Sequence, residues 1–293
     1  MDSERTMDKN GGERCPVCSG SLLHKALEVQ TDKLYSILVC GGCHLAFAAP
    51  RPTPEELDRF YTQTYFSREP TKRLGYMDYR SMGEVNARRS WKELKRFANL
   101  PSLAPRKRIL DVGCATGGFL DEAQKEGWEC VGVDLSEHAI TIARDEWKLN
   151  VFHGDIFHPA LQECDFGVLT MFHVLEHMID PVTALKRAVS LLMPGGLLFI
   201  ELPNWNSAGR IIRKAAWAQL RPPEHINFFT PRSLQQVVKQ VGLDVLISIS
   251  YYEPRPPMTG LQSARSMVVA AAVKSAARVG LGGYVRLLAQ KRA

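Results

Sequence analysis

Residues 109–120 read ILDVGCATGGFL, and this stretch decides the fold. An apolar run leads into Asp111, and a loop of small residues follows, with Gly113, Ala115, Gly117 and Gly118. A second apolar run, ECVGVDLS at 129–136, ends at Asp134. Strand, small-residue loop, helix and second strand form the unit with which a doubly wound sheet builds a nucleoside pocket. Small residues let backbone approach a ligand, and an acid at the tip of the next strand accepts hydrogen bonds from ribose hydroxyls.

Outward from this unit, strand and helix patterns alternate. Strands are expected at 108–113, 129–134, 150–153, 166–171, 196–202 and 244–251, and helices at 117–126, 136–147, 181–192 and 231–241. A seventh strand, YVRLLAQK at 284–291, is expected to pair antiparallel with 244–251. The alternation specifies an α/β chain with a seven-stranded, mostly parallel, doubly wound sheet covered by helices on both faces. A further helix is expected over 84–99, where Val85, Trp91, Leu94 and Phe97 form an apolar stripe among basic residues. Thr53, Pro54 and Glu56 spell the start of another, as N-cap, first helical residue and capping-box partner.

The loop alone does not name the ligand. A dinucleotide site would read Gly-x-Gly-x-x-Gly, and positions 113, 115 and 118 here are Gly, Ala and Gly. Three later stretches carry more: GDIF at 154–157, CDFGVLTMFHVLEHMIDP at 164–181, and LLMPGGLLFIELPN at 191–204. Together with ILDVGCATGGFL they resemble, in order and spacing, the class I S-adenosylmethionine-dependent methyltransferases. The family pattern Asp-x-Gly-x-Gly-x-Gly keeps Asp111, Gly113 and Gly117 and departs at Ala115. The resemblance covers roughly 95 residues and implies a Rossmann-like sheet whose last strand is antiparallel.

It also implies S-adenosylmethionine as cofactor. The expected contacts are Asp111, Gly113, Cys114, Ala115, Gly117, Asp134, Leu135, Asp155, Ile156 and Met171. Gly113 and Gly117 admit the amino-acid portion and Asp134 takes the ribose diol. In the resembling family Asp155 binds the adenine amino group, and Ile156 packs on the ring. Asp111 either orients the loop through backbone N–H groups or meets the cofactor ammonium through water.

Methyl transfer from a sulfonium is an in-line displacement, for which alignment supplies up to ~7–11 kcal/mol. A hydroxyl nucleophile gains a further ~100- to 10,000-fold from a base. The candidates are His173 and His177 in HVLEH, and His225 in PPEHINFFTPRSL at 222–234, each with a purely structural reading beside the catalytic one. HVLEH also spells a His-x-x-Glu-His metalloprotease signature, which the surrounding methyltransferase order contradicts. Tyr76 and Tyr79 are expected either to line the site or to pack the preceding helix.

Cys15 and Cys18 form CPVC, and Cys40 and Cys43 form CGGC, with 21 residues between the pairs. Four thiolates satisfy a tetrahedral structural zinc and leave no open position for catalysis. The expected organisation is a disordered leader at 1–13, a small zinc ribbon at 14–50, a helical linker or cap at 51–104, and the cofactor-binding domain at 105–293 with an insertion or lid at 255–283. Such ribbons accompany methyltransferases that the resemblance associates with cell-surface sugars and secondary metabolites.

The expected function is therefore O-methylation of a small-molecule acceptor. Two alternatives are a zinc-ribbon RNA methyltransferase, suggested by Arg88, Arg89, Lys92, Lys95 and Arg96, and a non-catalytic cofactor-binding scaffold, suggested by Ala115. A net charge of +6 does not by itself demand nucleic acid. No stretch reaches ~18 consecutive apolar residues and no secretory signal opens the chain, so a cytoplasmic protein is expected. Peripheral membrane contact through 261–279, around SMVVAAAV at 266–273, is weighed against a helix covering the site mouth or a subunit interface. The oligomeric state is not encoded in any motif.

Overall fold

The computed structural model describes residues 13–53, 55–57, 81–98, 104–252 and 275–292. Of the expected leader at 1–13 all but Glu13 lies outside the described residues, as do Tyr76, Tyr79 and the apolar run at 266–273.

The chain begins with a ribbon of three antiparallel strands, β1 (Leu23–Gln30), β2 (Leu34–Cys40) and β3 (Ala46–Ala49). The sequence reading had not resolved the β1–β2 hairpin. β1 reads LHKALEVQ, with charged side chains interrupting the apolar alternation and a register shift between Lys25 and Leu27. Thr53 and Glu56 then make the expected capping box: Glu56 N donates to Thr53 Oγ1 at 3.2 Å and Thr53 N to Glu56 Oε2 at 3.0 Å.

Helix α1 (Ser81–Ala98) leads into the main sheet. It buries Trp91 and Leu94, and Trp91 packs edge-on against Phe119 and Trp128. From there the order is β4 (Arg108–Val112), α2 (Gly118–Gln124), β5 (Glu129–Asp134), α3 (Glu137–Trp147), β6 (Asn150–His153), β7 (Phe166–Phe172), α4 (Pro181–Leu191) and β8 (Leu192–Pro203). Then come α5 (Ala208–Arg213), β9 (Asn227–Phe228), α6 (Pro231–Gln240), β10 (Leu243–Tyr251) and β11 (Tyr284–Lys291). The helix starts are set by side chains. Ser136, Asp180 and Thr230 accept N–H bonds at the N-termini of α3, α4 and α6, and proline occupies the first turn of the last two.

Seven strands form one sheet in the order β10-β11-β8-β7-β4-β5-β6. Neighbours from β8 through β6 are parallel, whereas β11 runs antiparallel to both β8 and β10. The strand order reverses beside β4, so a crevice opens at the carboxyl tips of β4 and β7, where open α/β sheets bind ligands. Along β8 the side chains alternate between two cores: Leu197 and Phe199 face the helices α1 to α3, and Leu198 and Ile200 face α4 and α6.

The ribbon is fused to this second face. Cys15, Cys43, Leu45 and Phe47 share a core with Leu185, Phe229 and Leu234. Burial of one such side chain stabilises by about 1.5–3 kcal/mol. The ribbon sheet also recruits β9 as its fourth strand, in the order β1-β2-β3-β9. A segment from the middle of the main fold thus completes the N-terminal sheet.

Gly167 on β7 shows how closely the strands fit. A Cβ there would lie 2.1 Å from the backbone oxygen of Arg106, which cannot move aside as a flexible side chain can. Gly167→Ala is expected to lower unfolding stability by about 1–3 kcal/mol or more. Urea titration of the variant checks this, and a midpoint equal to that of the parent would contradict the packing described.

Candidate functional site

The crevice is lined by five strand tips. After β4, Gly113 and Gly117 take left-handed conformations, with φ of 74° and 83°. A Cβ at Gly113 would sit 2.6 Å from Val174, and one at Gly117 would sit 2.5 Å from Leu149, so both positions demand glycine. Ala115 also takes φ of 48°. The departure from glycine at 115 is therefore accommodated without changing the turn, at the cost of some strain.

The tip of β5 holds this loop. Asp134 Oδ2 accepts from Ala115 N at 2.8 Å and Oδ1 accepts from Ser136 N at 2.8 Å. A carboxylate has about four lone-pair sites, so two remain for a diol. Burial raises the Asp134 carboxyl above the ordinary range, and the two N–H bonds and the nearby His153 oppose that shift. Asp111 lies one strand away and fully inside. Its Oδ1 accepts from the Thr170 hydroxyl on β7 at 2.6 Å. Burial pushes its carboxyl up to about 7, with the Thr170 bond lowering and the Asp134 charge raising it. The Thr170 bond makes Asp111 a tie between adjacent strands.

Asp155 follows β6 and accepts from Phe157 N at 2.9 Å. Ile156 and Met171 are fully buried, Cys114 is nearly so, and Leu135 is exposed at the rim. Asp134 and Asp155 follow the neighbouring parallel strands β5 and β6, and Gly113 follows β4 beside them. The cradle of small residues and the spare acceptor sites fit a nucleoside with a free diol.

The histidines occupy the other side. β7 ends at Phe172, and His173 follows with φ of 54°, which turns the chain into a 3-10 helix at Leu175–His177. His173 N donates to Glu201 O at 2.8 Å, its Nδ1 lies 3.3 Å from Glu176 Oε1, and its ring meets Tyr284 edge-on. His177 Nδ1 donates to the Glu224 carbonyl at 2.7 Å. A proton on Nδ1 leaves the Nε2 of the neutral ring as an acceptor. His225 Nδ1 donates to Gln219 O at 2.8 Å, and its ring packs edge-on to His177 with centroids 4.7 Å apart. Burial above all, with the positive Arg221 nearby, drives the His225 imidazole well below its ordinary value and keeps it neutral. The structure thus separates the three: His225 is enclosed, whereas His173 and His177 are half-buried.

Glu176 and Glu224 are both buried, and among the described residues the Oε2 of each has no hydrogen-bond partner. Glu176, His177 and His225 bring ligand atoms within 4.8 Å of one another. Arg221 Nη2 stands 3.1 Å from Glu224 Oε1 and 3.4 Å from His225 Nε2, so a positive charge already sits against this group. The metalloprotease reading of HVLEH requires two histidines on one zinc-binding helix. Here His173 lies on a strained turn before the short 3-10 helix and faces Glu201.

Several residues of this side were missed in the sequence. Glu201 on β8 and Arg286 on β11 are direct cross-strand partners, with Nε to Oε2 at 2.5 Å. Arg286 also reaches Glu93 at 2.7 Å and stacks on Tyr251. Each is a lone charge in an apolar strand, LLFIELP and YVRLLA, and that was the available signal. Burial opposes ionisation of Glu201, but the His173 hydrogen bond and the Arg286 charge together hold its carboxyl down at about 2. Arg51 was missed as well. Its guanidinium reaches both histidine-bearing segments from the end of the ribbon.

In the ribbon, four sulfurs converge. Cys15 and Cys43 Sγ are 3.3 Å apart, Cys18 and Cys40 Sγ are 3.5 Å apart, and all four lie within 4.8 Å of one another without a disulfide. Zn–S bonds of ~2.3 Å in a tetrahedron require sulfurs about 3.8 Å apart, so the set fits. Left-handed residues Ser19 and His44 turn the chain back after each Cys-x-x-Cys, and Cys15 N and Cys40 N donate to Gly20 O and Leu45 O.

A family model described as "Methyltransferase domain" matches residues 82–247, more than half of the chain. A ubiquinone biosynthesis O-methyltransferase of Aromatoleum aromaticum is 29% identical over 190 residues, covering 59% of this chain and 78% of that protein. A protein of the same name from Coxiella burnetii is 33% identical over 161 residues, covering 50% of this chain and 68% of that protein. Among solved structures, a SAM-dependent methyltransferase from Archaeoglobus fulgidus aligns with a TM-score of 0.52 at 23% identity, over 73% of this chain and 100% of that one. That structural likeness speaks for the fold.

The Glu201–Arg286 pair carries its own consequence. Arg286→Met leaves a buried carboxylate without its cation and is expected to cost about 3–5 kcal/mol at neutral pH. Glu201 titrates lower in the fold than its ordinary 4.5, so the contribution is complete above that value and is lost as pH falls toward about 2. Urea unfolding at pH 7 and pH 3 checks both. A variant as stable as the parent at pH 7 would show that the pair is dispensable.

Proposed function

Because the chain belongs to the methyltransferase-domain family and is an S-adenosylmethionine-dependent methyltransferase, we propose that it methylates an oxygen atom of a small-molecule acceptor, a sugar or secondary metabolite, with His177 as the base. The observation that carries this reading is the 2.7 Å bond from His177 Nδ1 to the Glu224 carbonyl. It commits the proton to Nδ1 and leaves Nε2 free to take one. The two relatives named above are both O-methyltransferases, which supports oxygen as the acceptor atom.

When bound, the cofactor supplies a methyl group on a positively charged sulfur, already activated for displacement. The chain's own residues do the rest. Asp134 holds the ribose diol, Asp155 the adenine edge, and the Gly113–Gly117 loop the amino-acid portion. Ile156 and Met171 close the apolar floor. His177 Nε2 would take the proton of the acceptor hydroxyl as that oxygen accepts the methyl group the bound cofactor would supply. His225, neutral and enclosed, keeps the His177 ring edge in place.

Charge on α1 favours a small acceptor over RNA. Arg88 pairs with Glu122 and Lys95 with Glu126, so two charges of the basic face are already matched by acids at and just after α2. No described helix is long and apolar enough to cross a membrane.

The four cysteines are proposed to hold a structural zinc. A segment this short has little core of its own, so metal binding would supply much of its folding free energy. Elemental analysis should find one zinc per chain, and chelation should lower the melting temperature. A metal-free protein with the melting temperature of the parent would overturn the assignment.

Two substitutions test the two halves of the crevice. Asp134→Ala is expected to weaken S-adenosylmethionine at least tenfold, about 1.4 kcal/mol, by calorimetry. Equal affinity would remove the ribose role. His177→Ala is expected to slow release of S-adenosylhomocysteine ~100- to 10,000-fold on a panel of phenols, catechols and sugars, with cofactor affinity unchanged. Full activity would take His177 out of the proton-transfer step.

A further inference from the structure

The groups that hold the histidine segments in place come from the ribbon. Arg51 follows β3 by two residues. Its Nη1 donates to Asn227 Oδ1 at 2.8 Å and to Ile226 O at 3.2 Å. Its Nη2 donates to Ile179 O at 2.6 Å and to Met178 O at 3.3 Å. One guanidinium therefore grips both the segment after His177 and the segment after His225. Asn227 closes the loop of contacts, because its Nδ2 donates to Met178 O at 2.7 Å and Leu175 O at 3.3 Å.

Backbone pairing runs along the same line. Ala48 N on β3 donates to Ile226 O, and Ile226 N donates to Glu176 O, both at 3.0 Å. Strand β3, strand β9 and the 3-10 helix bearing His177 are thus consecutive layers. The arrangement is maintained although Arg51 Nε is buried with no partner among the described residues, which is unfavourable by itself. Four acceptors spread over two segments suit a planar fork of donors, and a lysine ammonium cannot span them.

We propose that Arg51 is a positioning residue for methyl transfer: by bridging Met178 and Ile179 to Ile226 and Asn227, it fixes His177 against the Glu224 carbonyl and so fixes the protonated nitrogen of the base. The inference rests on the reading of His177 as base. It makes the ribbon a working part of the acceptor half of the site. The 3-10 helix starts from a strained turn at His173 and is only one turn long, so it holds its place through these contacts. A displacement of ~1 Å at a reacting group can cost ~100-fold in rate.

The test uses the full chain as purified and needs no acceptor. In nitrogen-15 spectra of the parent, His177 should show one neutral tautomer, protonated at Nδ1. In Arg51→Lys and Asn227→Ala it should become a mixture, while calorimetric affinity for S-adenosylmethionine stays within about twofold. In Arg51→Ala, guanidinium chloride at tens of millimolar should restore the single tautomer by refilling the vacated place. On whichever acceptor the panel yields, Arg51→Lys should lower kcat about 10- to 100-fold and leave the KM for the cofactor unchanged. An Nδ1-protonated His177 that persists unaltered in Arg51→Lys and Asn227→Ala, even with a lowered melting temperature, overturns the proposal and leaves Arg51 as folding glue. A parent His177 protonated at Nε2 instead defeats the base assignment itself, whatever Arg51 does. Should Arg51→Ala prove insoluble, Arg51→Lys and Asn227→Ala decide the matter.

Discussion

The two hydrogen bonds that Asp134 accepts, from Ala115 N and from Ser136 N, organise this molecule's working end. They tie the tip of β5 to the loop after β4 and to the start of α3. Parallel pairing of β4 with β5 sets the distance they must span. The glycine conformations at 113 and 117, the cap on α3 and the shape of the crevice depend on that junction holding. A half-buried carboxylate at such a junction is a structural clamp that keeps spare acceptor capacity.

The opposite wall is built by a different device. There the sheet offers only β7 and β8 tips, and the polar groups are arranged by two long-range attachments. Arg286 on the antiparallel β11 keeps Glu201 ionised beside His173. Arg51 at the end of the ribbon keeps the His177 and His225 segments together. A wall built on the common strand–loop–helix unit thus stands beside one assembled from parts distant in sequence, and these are the walls proposed for cofactor and acceptor. This division accounts for a family fold with its own acceptor chemistry, because function resides in the site and not in the fold.

The legibility of the sequence follows the same division. The five parallel strands of the main sheet were readable because buried parallel strands are apolar runs bounded by glycine, proline or an acid, and β10 and β11 because their β-branched and apolar residues mark strands. Their boundaries moved little: 196–202 became Leu192–Pro203, and 244–251 became Leu243–Tyr251. The cap at Thr53 was readable because capping is local. The β1–β2 hairpin was not, since Lys25 and Glu28 break its alternation and a bulge shifts its register. β9 is two residues long and is defined only by its partner in the ribbon. Arg51 lies in a proline-flanked stretch with nothing local to say that it turns inward toward residues about 130 and 175 positions away. His225 was named as a catalytic candidate from its motif, and only its enclosure by Gln219, Arg221 and His177 shows that it stays neutral.

The most direct test of the account is a crystal structure of the full chain with S-adenosylhomocysteine. The account predicts both ribose hydroxyls within ~2.6–3.2 Å of the Asp134 carboxylate and the sulfur turned toward the side of the crevice that holds His177. A nucleoside seated elsewhere, or a ribose that leaves Asp134 untouched while the sulfur faces away from the histidines, would contradict it.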